Sequence, residues 1–246
     1  MISISDKSVL KSGDFSEVAI TKGLVGWYPL DRSAHDLSLV GNDGVIAGSP
    51  RPRRAPPGMG MRFNGVTDKV EIPHIPSLAV QSEGWAYAYY FKRYAGYPSG
   101  NTTMVKQGDW EIGTWMNGGN VRPHFKFGDT VYYLDVPYVL PLNTWVHFTA
   151  VWDGTKILFY IDGIEKSGIS GQSTRPNPIG PLMLMSDYGA PTAIDAAMSD
   201  LRIFQRSLPA SEVSLLYELT HPDYGSIIRE TLDQLYVKGR YREVIM

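Results

Sequence analysis

The chain has 246 residues, with 25 acidic side chains against 23 basic ones and a formal net charge of −2. That balance lacks the footprint of a nucleic-acid binder, which calls for a strongly basic domain. The absence of cysteine removes disulfides and thiolate metal sites, while 43% hydrophobic and 12% aromatic residues are enough for a sizeable core.

Residues 1–22 are polar, short of aromatics, and read as an N-terminal arm. They carry neither the apolar h-region nor the cleavage pattern of a signal peptide. No run approaches the roughly 18 apolar residues of a membrane span. The expectation is a soluble protein made in the cytoplasm without a signal peptide, with no membrane insertion.

From Gly23 onward, short apolar or alternating runs are punctuated by Gly, Pro, Asn and Asp. Strands are predicted over 24–28, 44–47, 60–64, 68–72, 84–92, 103–107, 109–115, 121–127, 130–136, 144–152, 156–161, 181–185 and 197–204. Arg51, Arg53 and Arg54, set among prolines, read as a solvated loop rather than a phosphate site. In 85–91, Trp85, Tyr87, Tyr89 and Phe91 share one face, while Ala86, Ala88 and Tyr90 share the other. In 145–152, Trp145, His147, Thr149 and Val151 oppose Val146, Phe148, Ala150 and Trp152. Period-two patterning at this density predicts an all-β, two-sheet antiparallel sandwich.

Residues 143–168 add the strongest local signal. Two aromatic and β-branched runs end in Asp153-Gly154 and Asp162-Gly163. Asp-Gly suits a type I′ hairpin turn, whose two central residues both need φ > 0. The pair predicts a tight antiparallel meander.

One short helix is predicted from Leu208 to Tyr217, with Ser207 as N-cap and Pro209 and Glu212 in its first turn. Residues 226–237 place Ile227, Ile228, Leu232, Leu235 and Tyr236 at helical spacing, and a basic stretch, Lys238 to Arg242, follows. The predicted organisation is an arm over 1–22, a sandwich over 23–219, and a C-terminal arm over 220–246 with an amphipathic helix. No repeat of solenoid period is visible.

Several motifs then occur in a familiar order. Gly23 to Asp31, Asn42-Asp-Gly-Val45, Gly60 to Gly65 and Asp68 to Pro73 are followed by Lys106-Gln-Gly108, Trp110 to Gly113 and the Asp-Gly meander. Met198 to Phe204 before Leu208 to Val213 completes the series. The chain resembles laminin G-like domains of the concanavalin A-like lectin/glucanase superfamily, which includes the pentraxins. The resemblance implies a jelly roll with a short helix after the last strand and a concave face that often binds carbohydrate. It does not specify the ligand, because this fold hosts lectins, hydrolases and adhesion modules.

Retaining hydrolases set two carboxylates about 5–5.5 Å apart. Catalytic relatives of this fold carry them on one strand as Glu-x-Asp-x-x-Glu, a pattern this chain lacks. Asp109 and Glu111 lie at i and i+2 with no third acid following. No Gly-x-Ser-x-Gly elbow and no His-x-x-x-His spacing occurs among His35, His74, His124, His147 and His221. His147 reads as a packed sheet residue. The chain is accordingly read as no enzyme.

The resemblance implies one structural calcium ion, with Asn42, Asp43, Asp68 and Asp200 at the matching positions. A hard cation takes such oxygen donors. For carbohydrate, an aromatic platform with orienting polar groups is expected from Trp110, Trp115, Tyr132 and Tyr133 with Asn117, Asn120 and His124.

The expected function is a non-catalytic, lectin-like binding or structural module. It would serve as a bacteriophage particle component, such as a head-decoration or tail protein, oligomeric in assembly and incorporated into the virion. Its partners would be capsid or tail proteins, docked through the arms by Ile227, Ile228, Leu232, Leu235 and Tyr236, with surface glycans as further ligands. A free carbohydrate-binding lectin and a glycoside hydrolase or lyase are the alternatives.

Overall fold

The structure, a computed structural model, describes residues 21–78, 84–94, 100–108, 110–117, 120–127, 130–133, 140–170, 180–187, 190–191 and 195–221. For residues 100–102, 115–117, 120–123, 127, 130–133, 167, 169–170, 187 and 190–191 it describes the backbone alone.

The first strands are β1 (Leu24–Tyr28), β2 (Val45–Ala47), β3 (Arg51–Ala55), β4 (Gly58–Phe63) and β5 (Lys69–Ile72). Next come β6 (Trp85–Arg93), β7 (Gly100–Gln107), β8 (Trp110–Asn117), β9 (Asn120–Phe127) and β10 (Thr130–Tyr133). The meander supplies β11 (Val146–Trp152), β12 (Lys156–Ile161) and β13 (Ile164–Ser170). Then follow β14 (Leu182–Leu184), β15 (Ser186–Asp187), β16 (Ala190–Pro191), β17 (Ala196–Phe204) and a helix, α1 (Ala210–Thr220).

These strands form a sandwich of two antiparallel sheets. An eight-stranded sheet runs β13-β12-β11-β6-β17-β4-β3, with β1 also paired to β17. A seven-stranded sheet runs β10-β9-β8-β7-β14-β5-β2, and β15 pairs with β16 separately.

Alternation decides what each strand buries. Trp85, Tyr87, Tyr89 and Phe91 of β6 turn inward with Val146, Phe148, Ala150 and Trp152 of β11. They meet Trp110, Ile112 and Phe125 from the other sheet; the Trp85 and Trp110 rings stack 5.8 Å apart. On the outer face of the eight-stranded sheet, Ala86, Ala88, Val151, Leu158 and Phe204 form a second apolar cluster with Val213 and Leu216 of α1. The Tyr90 hydroxyl and Thr220 Oγ1, 3.0 Å apart, fasten the last turn of the helix to β6.

Strand β17 breaks the alternation. Ala196 and Met198 enter the core before the break, and Leu201 and Ile203 after it. The pairing with β6 shifts between Ser199 and Arg202, where Asp200 adopts φ 50°. One extra residue reverses the parity of the strand, as a β-bulge does.

The two Asp-Gly turns differ. Asp162 and Gly163 both have positive φ, 50° and 75°, as a type I′ turn requires. At the other, only Gly154 is positive, at 95°. Asp153 caps that turn instead, its Oδ1 accepting bonds from Thr155 N, Thr155 Oγ1 and Lys156 N.

Two further expectations are corrected. Arg51–Ala55 is not a loop but the edge strand β3, in register with β4; an edge strand tolerates Pro52 because its unpaired side needs no N–H. Helix α1 starts from Pro209, without a side-chain cap, rather than from Ser207. Glu212 pairs with Arg206 instead. Among the described residues no helix is long and apolar enough to cross a membrane.

Trp110 is fully buried and touches Trp85, Tyr87 and Phe125. Trp110→Ala should therefore lower stability by about 3–5 kcal/mol, measured by denaturant unfolding; a loss below about 1 kcal/mol would contradict this core assignment.

Candidate functional site

The outer face of the seven-stranded sheet is polar along β7, β8 and β9, where that of the other sheet is apolar beneath α1. Because Trp110 and Ile112 point into the core, Glu111, Gly113 and Trp115 occupy the outward positions of β8. Register aligns Lys106, Glu111 and Lys126 in one row across β7, β8 and β9, a plus–minus–plus arrangement favoured across strands. The next row holds Thr103, Gly113, His124 and Tyr133, and the one after it Asn101, Trp115 and Arg122.

Three side chains of these rows converge on the Glu111 carboxylate. His124 Nε2 lies 3.0 Å from Glu111 Oε1, while Thr103 Oγ1 lies 3.3 Å and Lys106 Nζ 3.6 Å from Oε2. Glu111 is 3% exposed and His124 is fully buried. Burial pushes the Glu111 carboxyl upward, but the hydrogen bond from His124 and the charges of Lys106 and Lys126 outweigh it. The group is held below the usual carboxylate range. That is the reverse of a general acid, whose carboxyl must stay protonated near neutrality.

The expected sugar-binding residues divide. Trp110 is a correction: it lies in the core, stacked between sheets, and cannot present a ring to a ligand. His124 is likewise buried and serves Glu111. Trp115 and Tyr133 fall in outward rows, whereas Tyr132 pairs with Phe125, a core position, and belongs to the inward set. Asn117 and Asn120 face each other where β8 and β9 meet. Asp109 and the docking positions Ile227, Ile228, Leu232, Leu235 and Tyr236 lie outside the described residues.

The expected calcium ligands do three separate structural jobs. Asp43 Oδ1 accepts a bond from Asp36 N and its Oδ2 meets His35 Nδ1, while Asn42 Nδ2 donates to the Pro73 carbonyl. Asp68 receives Ser49 N and Asn64 N, one on each oxygen. Asp200 Oδ1 accepts bonds from Trp27 Nε1 at 2.7 Å and Arg202 Nε at 3.2 Å. Among the described residues no three His, Cys, Asp or Glu side chains gather to hold a metal. The donor set does not fit calcium: N–H donors hold Asp43 and Asp68 on both oxygens and Asp200 on Oδ1 in separate bonding sets, and these side chains do not form the gathered oxygen shell that the ion takes.

Sequence reading missed the Thr103–Lys106–Glu111–His124 network. Its signal was the period-two alternation that sets Glu111 opposite in parity to Trp110, combined with the β8–β9 register, which only the paired structure supplies.

The family model of the concanavalin A-like lectin/glucanases superfamily matches residues 64–214. The chain belongs to that superfamily. No curated protein matches it by sequence. Among solved structures, it is similar to the binding domain of Paraclostridial Mosquitocidal Protein 1, with a TM-score of 0.68 and 16% identity over 81% of this chain and 52% of that one. Domain 4 of AbnA, an extracellular GH43 arabinanase from Geobacillus stearothermophilus solved with arabinotriose, gives 0.65 and 18% over 79% and 98%. The ligand binding domain of botulinum neurotoxin serotype D, solved with N-acetylneuraminic acid, gives 0.67 and 13% over 82% and 52%. The chain thus spans about half the length of the toxin domains it resembles and nearly all of the arabinanase domain. At these identities the likeness is one of fold, a lectin-like superfamily fold shared with binding domains.

Two tests follow from this geometry. EDTA should leave the melting temperature unchanged, since no carboxylate named above needs an ion; a fall on chelation would restore calcium. The second concerns His147, buried between the rings of Tyr90 and Tyr217. Burial, and then the Arg202 charge, lower its pKa from 6.5 to about 3. Between those values the unfolded chain binds a proton that the folded one refuses, so stability falls as pH drops through this window, by up to about 1.4 kcal/mol per pH unit. His147→Gln should show a shallower acid limb; parallel limbs would refute the assignment.

Proposed function

We propose that this protein is a non-catalytic glycan-binding module, with its ligand site on the outer face of the seven-stranded sheet near the β8–β9 hairpin and β10. The observation that carries the reading is the set of outward rows there. Trp115, Tyr133, Asn101 and Arg122 occupy register positions beside a hydrogen-bonded Glu111–His124–Thr103–Lys106 network. Sugar sites combine aromatic faces with fixed polar groups, and those rows bring both residue types to one patch. The network beneath acts as a positioning element, because a buried, fully engaged carboxylate locks the strands that carry the outward residues. The arabinanase domain solved with arabinotriose and the neurotoxin domain solved with N-acetylneuraminic acid support the same use of the fold.

The module reads as non-catalytic because Glu111, the acid beside these rows, is buried and anionic. A glycan panel tests both halves. Trp115→Ala and Tyr133→Ala should each weaken binding about tenfold or more while leaving the melting temperature near wild type. Unchanged binding in both variants would dispose of the site. Release of reducing sugar by the purified protein, lost in Glu111→Gln, would make it an enzyme.

Within this reading the module serves as a particle component, a head-decoration or tail protein of a phage. The support is the amphipathic spacing of Ile227, Ile228, Leu232, Leu235 and Tyr236 with the basic residues after it, a pattern suited to docking on a neighbouring subunit. Deleting 222–246 should abolish assembly and keep glycan binding; a variant that still assembles argues for a free lectin.

A further inference from the structure

The arginines of β3 belong to a larger cluster. Arg51 pairs in register with Arg62 of β4, and that row continues through Ala197 of β17 to Lys92 of β6. Met61 and Phe63 point into the core, so Arg62 is outward, as is Lys92 between the inward Phe91 and Arg93. Only the methyl of Ala197 separates the two, so long cationic side chains on both flanks can lean over one shared spot.

Tyr94 fills that spot. The Arg62 guanidinium stacks 4.1 Å from its ring centre, and Lys92 Nζ sits 5.3 Å away. Arg53 is close as well. Burial raises the Tyr94 phenol, and the charges of Arg62 and Arg53 both pull it back down. A second aromatic joins from β11's approach: Trp145 Nε1 donates to the Arg54 carbonyl at 3.1 Å. Both rings are half-buried, each backed by protein and open on part of its surface.

The hairpin that carries the arginines is anchored. Ser199 Oγ donates to the Pro56 carbonyl at 2.6 Å in a buried bond. A Cβ at Gly60 would lie 2.7 Å from the Met198 carbonyl, so β4 packs here at backbone distance. The cations are therefore held on a fixed platform.

Charge is the telling feature. Asp195 grips Arg62 with both oxygens. Among the described residues no other carboxylate forms an ion pair or hydrogen bond with Arg51, Arg53, Arg54, Arg62 or Lys92. Clustered like charges oppose folding, and a chain of net charge −2 had acids enough to neutralise them. Protection of an exposed sheet edge would account for Arg51, Pro52 and Arg54. It does not account for Arg62 and Lys92 converging on a tyrosine in the body of the sheet.

We propose that the β3–β4 hairpin, with Lys92, Tyr94 and Trp145, forms a second site, for an acidic polysaccharide bearing carboxylate or sulfate groups. Arg53 and Lys92 pair with the anionic groups, arginine through its planar fork. Tyr94 and Trp145 take the apolar faces of the sugar rings. Nucleic acid fits less well, because it needs an extended basic surface on a basic domain, whereas this cluster is compact and the rest of the chain is net acidic.

The test is retardation of the full-length protein in native gels containing polygalacturonate, dextran sulfate, neutral dextran or double-stranded DNA, at low and raised salt. Retardation by at least one acidic polysaccharide, weakened by salt and absent with neutral dextran, is expected; which polymer acts separates carboxylate from sulfate recognition. Arg53→Ala/Lys92→Ala should cut that affinity at least about tenfold, about 1.4 kcal/mol, with an unchanged melting temperature. Trp115→Ala should retain it. Failure with both acidic polymers, full binding by the double variant, or equal retardation by DNA would each overturn the proposal. Loss of neutral-glycan binding in Trp115→Ala bears only on the first site, so the two fail separately.

Discussion

Everything in the eight-stranded sheet hangs on one residue out of step. Strand β17 pairs with β6, β4 and β1, and it can satisfy all three only by changing parity midway. Asp200 makes that change with a left-handed backbone and is tied on three sides. Its N–H donates to the Pro29 carbonyl, while its carboxylate receives Trp27 Nε1 and Arg202 Nε. The Arg202 guanidinium in turn stacks 4.6 Å from the Trp27 ring. Before the bulge, β17 offers Ala197 to the cationic patch; after it, Phe204 to the cluster beneath α1. A single inserted residue lets one strand serve two different regions of one outer face while feeding the core along its whole length.

Much of this architecture was legible in the sequence, because period-two alternation is a direct image of a half-buried strand. The inward sets of β6 and β11 are the ones that alternation picks out, and Asp162-Gly163 makes the turn its chemistry demands. The illegible parts share one cause: they depend on which strand lies alongside. A run of Arg and Pro gives no periodic signal, yet Arg51–Ala55 is a strand because β4 offers it a register. Asp200 resembles a metal ligand in one dimension and proves to be a bulge residue in three.

The candidate site shows the same limit. Trp110 and Trp115 sit five residues apart in one aromatic strand, and composition alone cannot say that their positions differ in parity. Glu111 and His124 stand thirteen residues apart as separate polar positions and become a network only through the β8–β9 pairing. The two outer faces thus acquire different characters from the same rule of alternation. One is apolar and roofed by a helix along β6, β11 and β12. The other carries a row of alternating charge.

The Arg206 side chain has a consequence for how the domain is mounted. Its guanidinium bonds to the Lys22 carbonyl at one end of the described chain and to Glu212, in the first turn of α1, near the other. The segment that enters the sandwich is therefore stapled through one guanidinium to the start of α1, so a pull on the chain ahead of β1 is passed directly to the helix.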